Sequence, residues 1–400
     1  MASSAADTTL PPDPELRLDC SRMDLHSLRA GDPELDGFSA HIQSAAASAA
    51  VAWLKRDDAA RVATLTGQRV LVTGSAGYLG ATLCRTIAGL GAEAVGLDVV
   101  PGETVSVVAD VADAEAVRGA MAGCDAVLHT AAMHAPHATH HHESEYIATN
   151  ITGTQNILDT AACAKPGGIP VVHTSTTSLT ITKRVKRCEQ AGELVWLDET
   201  AQPPVPPSET DDPLDAPRNK YGRSKLEAER RCVAAAKAGL PCVVVRISRC
   251  FPEDVIPDSV TAAAAALTTP NLKANELLGR RLALVDVITG HLRALTRARD
   301  ELVSGKVVTL SAPFPFTRAE TPTTSTAFLS FLLERRPGLS DLYSRLGWLL
   351  PKDLGRVYDS SLAVELLEWQ PAVTFDILVA VLQGSADDAI GLEDARSGRY

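Results

Sequence analysis

Three glycines place the first constraint on this chain. Gly74, Gly77 and Gly80 lie in the run Thr73–Gly74–Ser75–Ala76–Gly77–Tyr78–Leu79–Gly80, directly after the β-branched and aliphatic stretch Arg69–Val70–Leu71–Val72–Thr73. A helical pattern follows over residues 77–90 and closes at Gly89 and Gly91. Glycines at this spacing carry meaning only between a buried strand and a helix, and that is where these stand. The first permits a tight turn, the second lets backbone N–H groups approach a pyrophosphate, and the third lets the helix pack close to the sheet. The unpaired N–H groups at the head of the helix then face the phosphates. A dinucleotide held by Gly74, Ala76, Gly77, Tyr78, Leu79 and Gly80 is the expectation.

Behind the glycines, strand and helix patterns alternate. Strands are expected at 92–98, 105–108, 125–129, 169–174 and 242–247, with helices at 113–121, 143–164 and 221–238. Alternation of this kind implies an α/β fold with a doubly wound parallel sheet. Residues 1–66 read as an extension, rich in Pro and Asp to about residue 36 and helical in character over 38–65. It docks on the main body or joins a subunit contact; the sequence leaves both open. The nucleotide-binding domain is expected over 67–250, with a long loop insertion at 180–218. A smaller C-terminal α/β substrate region at 251–383 and a polar tail at 384–400 complete the chain. The insertion carries Lys183, Arg184, Lys186 and Arg187, read as a solvated loop face with an anionic-substrate role as the alternative.

Composition removes several function classes. The net charge of −11 argues against nucleic acid and against an anionic membrane surface. No run of about 18 apolar residues suggests a membrane span. The eight cysteines are scattered without a CxxC pair, as expected of reduced thiols. The N-terminal stretch, with Asp7, Asp13, Glu15 and Asp19, matches neither a secretory nor a transit signal, so the expected location is cytoplasmic.

Asp98 ends the second strand, where a carboxylate accepts from both ribose hydroxyls of an adenosine. Val99 and Val100 follow, with no cation to neutralise a 2′-phosphate, so NAD is expected rather than NADP. Asp110 and Val111 follow the third strand at the adenine edge, and His129 and Ala131 stand at the end of the fourth, beside the cofactor. Tyr221 and Lys225 fall four residues apart in Tyr221–Gly222–Arg223–Ser224–Lys225, hence on one helical face. A free tyrosine ionises near pH about 10, too high for an efficient base. A neighbouring ammonium and a positive nicotinamide are expected to lower that value. Val172–His173–Thr174–Ser175–Thr176–Thr177–Ser178 offers hydroxyls at the end of the fifth strand.

These segments (TGSAGYLG, LDVV, ADV, HTAA, Asn150, TSTTS and YGRSK) are similar, in order, to the extended short-chain dehydrogenase/reductase superfamily. More narrowly, the chain resembles the NAD-dependent epimerase/dehydratase family over about residues 68–380. The resemblance implies a Rossmann domain, contacts from Asn150 and Thr174 near the cofactor, and Lys225 on the nicotinamide ribose. It places Thr176 at the catalytic hydroxyl, with Ser175 as fallback and possible substrate contact. It implies NAD-dependent hydride transfer at a secondary alcohol carbon of a sugar or nucleotide sugar, by an epimerase or a dehydrogenase, and a homodimer. A 3-beta-hydroxysteroid-dehydrogenase-like enzyme and a silent NAD-binding sensor are the alternatives.

Departures from the family sharpen the expectation. Thr177 and Ser178 stand where dehydratases carry Asp-Glu, so elimination of water lacks its acid and base. Arg249 replaces the Asn that contacts a sugar nucleotide, which puts a UDP-hexose in doubt while leaving phosphate or carboxylate recognition open. Arg281 lies in a stretch similar to the family's Arg-x-x-[IV]-x-V-x-D. His134, His137, His140, His141 and His142 crowd the loop after the fourth strand; a solvated loop is expected, with His134 as a substrate contact and no metal.

Overall fold

The computed structural model describes residues 35–134, 142–201, 215–250 and 269–383. Among the described residues, nine strands fall in two sheets. They are β1 (Arg69–Thr73), β2 (Glu93–Asp98), β3 (Val107–Val108), β4 (Ala126–His129), β5 (Val171–Thr176), β6 (Val195–Leu197), β7 (Cys242–Ile247), β8 (Val307–Leu310) and β9 (Arg356–Tyr358). Seven form a parallel sheet in the order β3-β2-β1-β4-β5-β7-β8, and β6 pairs with β9 in a second, small parallel sheet. The order reverses direction between β1 and β4, the switch point at which doubly wound sheets bind ligands beyond the strands' carboxyl ends.

The alternation of side chains along β1 shows why the sheet is covered on both faces. Val70 and Val72 pack with Leu79, Leu83 and Ile87 of α3 (Tyr78–Gly89) and with Leu284, Ile288 and Leu292 of the Leu284–Arg297 helix. Leu71 points the other way, into a cluster with Val117 of α4 (Ala114–Met121), Ile157 of α6 (Gly153–Ala164) and Cys232 of α8 (Lys220–Lys237). A strand buried on both faces reads as a continuous apolar run, which is what the sequence shows.

The stretch expected as one helix over 143–164 is three pieces. It runs from α5 (Glu143–Tyr146) through a π-helical turn (Ile147–Thr152) into α6, and the turn carries Asn150. π turns often mark functional sites.

The insertion, expected as a long loop, carries a helix and a strand among its described residues. Thr182 caps α7 (Lys183–Gln190) by accepting from Val185 N at 3.3 Å, and β6 follows. Val185, Leu197 and Tyr358 bury a small satellite core between them. The basic residues 183–187 therefore lie on a helix, not on a loop. The main sheet also takes its edge strand β8 from the stretch 251–383.

The N-terminal extension docks on the body. α1 (Leu35–Asp57) lies against α3 so closely that a Cβ at Gly89 would sit 2.8 Å from Val51 Cγ2. Trp53 Nε1 donates to Gln370 O at 3.1 Å. Asp58 caps α2 (Ala59–Ala63) and pairs with Arg293, whose side chain is 5% exposed. Glu368 pairs with Arg61 and Arg297 at 2.6 Å each. Asp58→Ala removes the carboxylate paired with the buried Arg293 guanidinium and is expected to cost about 3 kcal/mol of stability, the lower end for breaking a buried pair. Urea unfolding measures it; a loss under about 1 kcal/mol, the surface-pair range, would show that the pair does not anchor the extension.

Candidate active site

The glycine turn has no room for a side chain at Gly74 or Gly80. Gly74 has φ 70°, and a Cβ there would lie 2.9 Å from the Ala131 backbone. A Cβ on Gly80 would lie 2.1 Å from Gly74 O, so the helix starts directly on the turn. Asp98, at the carboxyl end of β2, accepts from Ala76 N at 2.9 Å with one oxygen and from Val100 N at 3.0 Å with the other. A carboxylate has about four acceptor sites, so each oxygen retains capacity for a ribose hydroxyl. Val99 and Val100 beside it are 60% and 56% exposed and bring no charge. This cradle fits a dinucleotide without a 2′-phosphate. Asp98→Ala is expected to weaken NAD about 10- to 100-fold, the value of charge-assisted hydrogen bonds, and NADP less. Calorimetric titration with both nucleotides checks it, and equal losses would remove Asp98 from the ribose.

Other residues expected near the cofactor brace the cradle. Asp110 accepts from Ala112 N at 2.9 Å in a tight turn, and Val111 is buried against Gly153. His129 lies within the sheet: Thr154 donates to Asn150 O at 2.7 Å, leaving its oxygen to accept from His129 Nε2 at 3.0 Å. His129 Nδ1 then accepts from Thr73 at 2.7 Å, and burial holds the ring neutral with a pKa pushed down to about 3. Asn150 accepts from Met133 N at 2.8 Å and donates to Ser224 Oγ at 2.8 Å, tying the loop after β4 to α8.

The hydroxyl chemistry assembles at the end of β5. Asn219 caps α8 by accepting from Gly222 N at 2.8 Å, which sets Tyr221 in the first turn and Lys225 one turn on, both buried. Ser178 N donates to Thr176 Oγ1 at 3.0 Å, which leaves the Thr176 proton available toward the Tyr221 oxygen, beside which it lies. Lys225 Nζ donates to Thr174 O at 2.6 Å and to His173 Nε2 at 3.1 Å. The structure thus brings Tyr221, Lys225 and Thr176 together.

The expected electrostatics of the tyrosine are corrected. Burial pushes Tyr221 up to about 12, although the Thr176 hydrogen bond pulls it down, and burial pushes Lys225 down to about 8. In the protein alone desolvation outweighs the Thr176 hydroxyl, so the phenol stays protonated at neutral pH. Burial first and Lys225 second hold His173 well below the usual imidazole range, so it meets Lys225 as a neutral acceptor.

The remaining expected residues separate. Ser175 donates to Glu229 at 2.5 Å and Thr174 meets His291 Nε2 at 2.9 Å, so both hydroxyls are committed to the protein interior. The His134 ring lies 6.0 Å from the Tyr221 ring. His137, His140 and His141 lie outside the described residues. Arg249 and Arg281 share Glu276, at 2.9 and 3.3 Å.

Residues that the sequence did not single out complete the support. Glu229 and Arg246, 3% and 0% exposed, form a two-point ion pair at 2.9 and 2.7 Å directly under Ser175. Glu229 follows Lys225 by four residues, on the face that carries Tyr221, and that spacing was a readable signal. His173 and Glu276 had none.

Comparison with known proteins agrees with this fold. The model of the NAD dependent epimerase/dehydratase family matches residues 70–307. The chain is similar to the 2-alkyl-3-oxoalkanoate reductase of Stenotrophomonas maltophilia, 33% identical over 184 residues that cover 44% of this chain and 49% of that protein. It is also similar to the 3-beta-hydroxysteroid dehydrogenase of Mycolicibacterium neoaurum, 35% identical over 100 residues covering 22% of this chain and 27% of that one. The chain therefore spans half or less of these relatives. Among solved structures, a short-chain dehydrogenase/reductase superfamily protein from Agrobacterium tumefaciens with bound NAD shares the fold. Its TM-score is 0.50 at 21% identity, covering 83% of this chain and 98% of that one. An epimerase from Methanothermobacter thermautotrophicus does the same, with TM-score 0.50 at 17% identity, covering 86% and 98%.

Proposed function

Because the chain belongs to the NAD dependent epimerase/dehydratase family, we propose that it interconverts a secondary alcohol and its ketone, with Tyr221 as the proton donor and acceptor. The observation that carries the reading is the Tyr221–Thr176 hydroxyl pair with Lys225 one turn below, beside the glycine cradle. NAD, when bound, supplies the hydride donor or acceptor. Tyr221 enters the reductive direction as a phenol and gives its Oη proton to the ketone oxygen. In the oxidative direction the same oxygen takes the proton of the carbinol. Thr176 holds the substrate oxygen against Tyr221, and the Lys225 ammonium stabilises the phenolate that proton transfer leaves behind. Lys225 would also hold the nicotinamide ribose of bound NAD.

Release of the ketone or alcohol is favoured over epimerisation, because the two curated relatives are named a reductase and a dehydrogenase. Both names place the reacting oxygen on the third carbon of a largely hydrocarbon body, and 3-oxo and 3-hydroxy compounds are therefore the proposed substrates. Thr177 and Ser178 open a 3-10 turn and bring no carboxylate, so elimination of water has no place in the reaction.

Thr176→Val keeps the shape and removes the hydroxyl. It is expected to lower kcat about 10- to 100-fold with NADH and a 3-oxo substrate, and Thr176→Ser is expected to restore most of it. Equal rates for Val and wild type would remove Thr176 from the reaction.

A further inference from the structure

Lys225 is a buried cation without an anion. Its side chain lies in the interior between α8 and β5, and its Nζ meets two acceptors on consecutive residues of the strand, Thr174 O at 2.6 Å and His173 Nε2 at 3.1 Å. The carboxylate one turn further along the same helix, Glu229, is already committed. Its Oε1 accepts from Arg246 at 2.9 Å and from Ser175 at 2.5 Å, and its Oε2 accepts from Arg246 at 2.7 Å. Lys225 therefore makes no ion pair among the described residues. The other titratable groups packed around it are neutral. Cys232 of α8 is hydrogen-bonded to Cys242 of β7, and burial pushes its thiol well up. His129 of β4 stands beside His173, with ring centroids 5.2 Å apart, and burial brings it down to about 3. His291, which meets Thr174, is brought down to about 4 by burial.

Among the described residues His173 is thus the one side chain that accepts from Lys225. Its ring is fixed in that role. A neutral imidazole carries one N–H, and with Nε2 accepting, that hydrogen is on Nδ1. Nδ1 is buried and has no hydrogen-bond partner. An imidazolium would face the ammonium across 3.1 Å and find no acceptor on its other side, so His173 accepts from Lys225 without taking its proton. Two tied N–H groups also lock rotation about the Cε–Nζ bond, so the third keeps a single direction. A neutral acceptor suits a lysine that must face a phenolate. A carboxylate in its place would cancel the charge on which that stabilisation depends.

We propose that His173 is a positioning residue for the hydride-transfer chemistry: its Nε2 locks Lys225 Nζ in one orientation and, standing in for a carboxylate, holds it as an ammonium through the neutral range. The proposal rests on the reading of Lys225 as the partner of Tyr221, but the pairing itself is observable without turnover.

The test starts from the full chain without nucleotide, labelled with carbon-13 at lysine Cε and titrated by NMR across neutral and alkaline pH. The Lys225 signal is identified by its loss in Lys225→Met, and its midpoint is expected near pH 8 in the wild type. His173→Phe keeps a ring beside His129 and removes the acceptor. Because the acceptor favours the charged form, its loss lowers the midpoint, by about one pH unit, the tenfold effect of one hydrogen bond to a charged group. His173→Gln sets an amide oxygen where Nε2 lies and is expected to restore most of the shift. The alkaline limb of ketone reduction with NADH should move down in the Phe variant and return in the Gln variant. His173→Asn, whose amide matches Nδ1 and falls short of Nε2, replaces Phe if that protein does not fold. A Lys225 midpoint unmoved by loss of the acceptor overturns the proposal. Equal shifts in Phe and Gln do the same, since they reduce His173 to packing, and so does a rate limb that stays in place while the midpoint moves. If the midpoint shifts and recovers while the wild type reduces no ketone, the hydride reading fails and the His173–Lys225 pairing stands.

Discussion

Tyr221→Phe is expected to lower turnover about 10²- to 10⁴-fold, the range for a positioned acid–base group, with no change in NAD affinity. The ring keeps its buried place at the head of α8, and only the oxygen that meets Thr176 is lost. Stability should change by about 1 kcal/mol, the net value of one hydrogen bond. The pH profile distinguishes its role from that of Lys225. Tyr221 titrates at about 12, so the reductive direction should not lose its acid across the neutral range. The ammonium of Lys225 is lost as pH rises through about 8, and the alkaline limb of the wild-type profile is expected there. Steady-state rates with calorimetric NAD binding check both points. A Phe variant as fast as wild type would end the Tyr221 assignment.

Gly80→Ala is expected to abolish NAD binding. A Cβ at 2.1 Å from Gly74 O cannot be absorbed by a rotamer, because the atom it meets is backbone. Gly74 in turn cannot retreat, since its own Cα face lies against the backbone of Ala131. The helix must tilt off the turn, at a cost of about 3 kcal/mol typical of severe overpacking, and the N–H groups that face the phosphates lose their aim. Gly77→Ala is the matched control: its nearest neighbour is Gly74 O at 3.2 Å, and a small shift accommodates it. Titration of both variants with NAD, with unfolding curves alongside, measures the ordering. A Gly80→Ala protein that binds NAD as wild type does would refute the close approach.

What the sequence made legible follows from where the forces are local. β1 and β7 are central parallel strands buried on both faces, so Val70–Val72 and Val243–Val245 announce themselves as continuous apolar runs. The glycines, Asp98 and the Tyr221–Lys225 spacing are fixed by short-range geometry and were readable for the same reason. α7 was not, because only Val185 of its eight residues is buried and its stability comes from β9, far along the chain. β6 is three residues long and exists through its partner. The sign of the Tyr221 shift needed burial, which no spacing reports.

The most direct test of the central claim is a deuterium-transfer experiment with NADH labelled at the reactive carbon of the nicotinamide, incubated with the wild-type chain and a panel of 3-oxoalkanoates and 3-oxosteroids. The account predicts an alcohol product with one deuterium on its carbinol carbon, formed with stoichiometric loss of label from the nucleotide. Product carrying no deuterium, or label retained in NADH while substrate is consumed, would contradict hydride transfer at a secondary carbon.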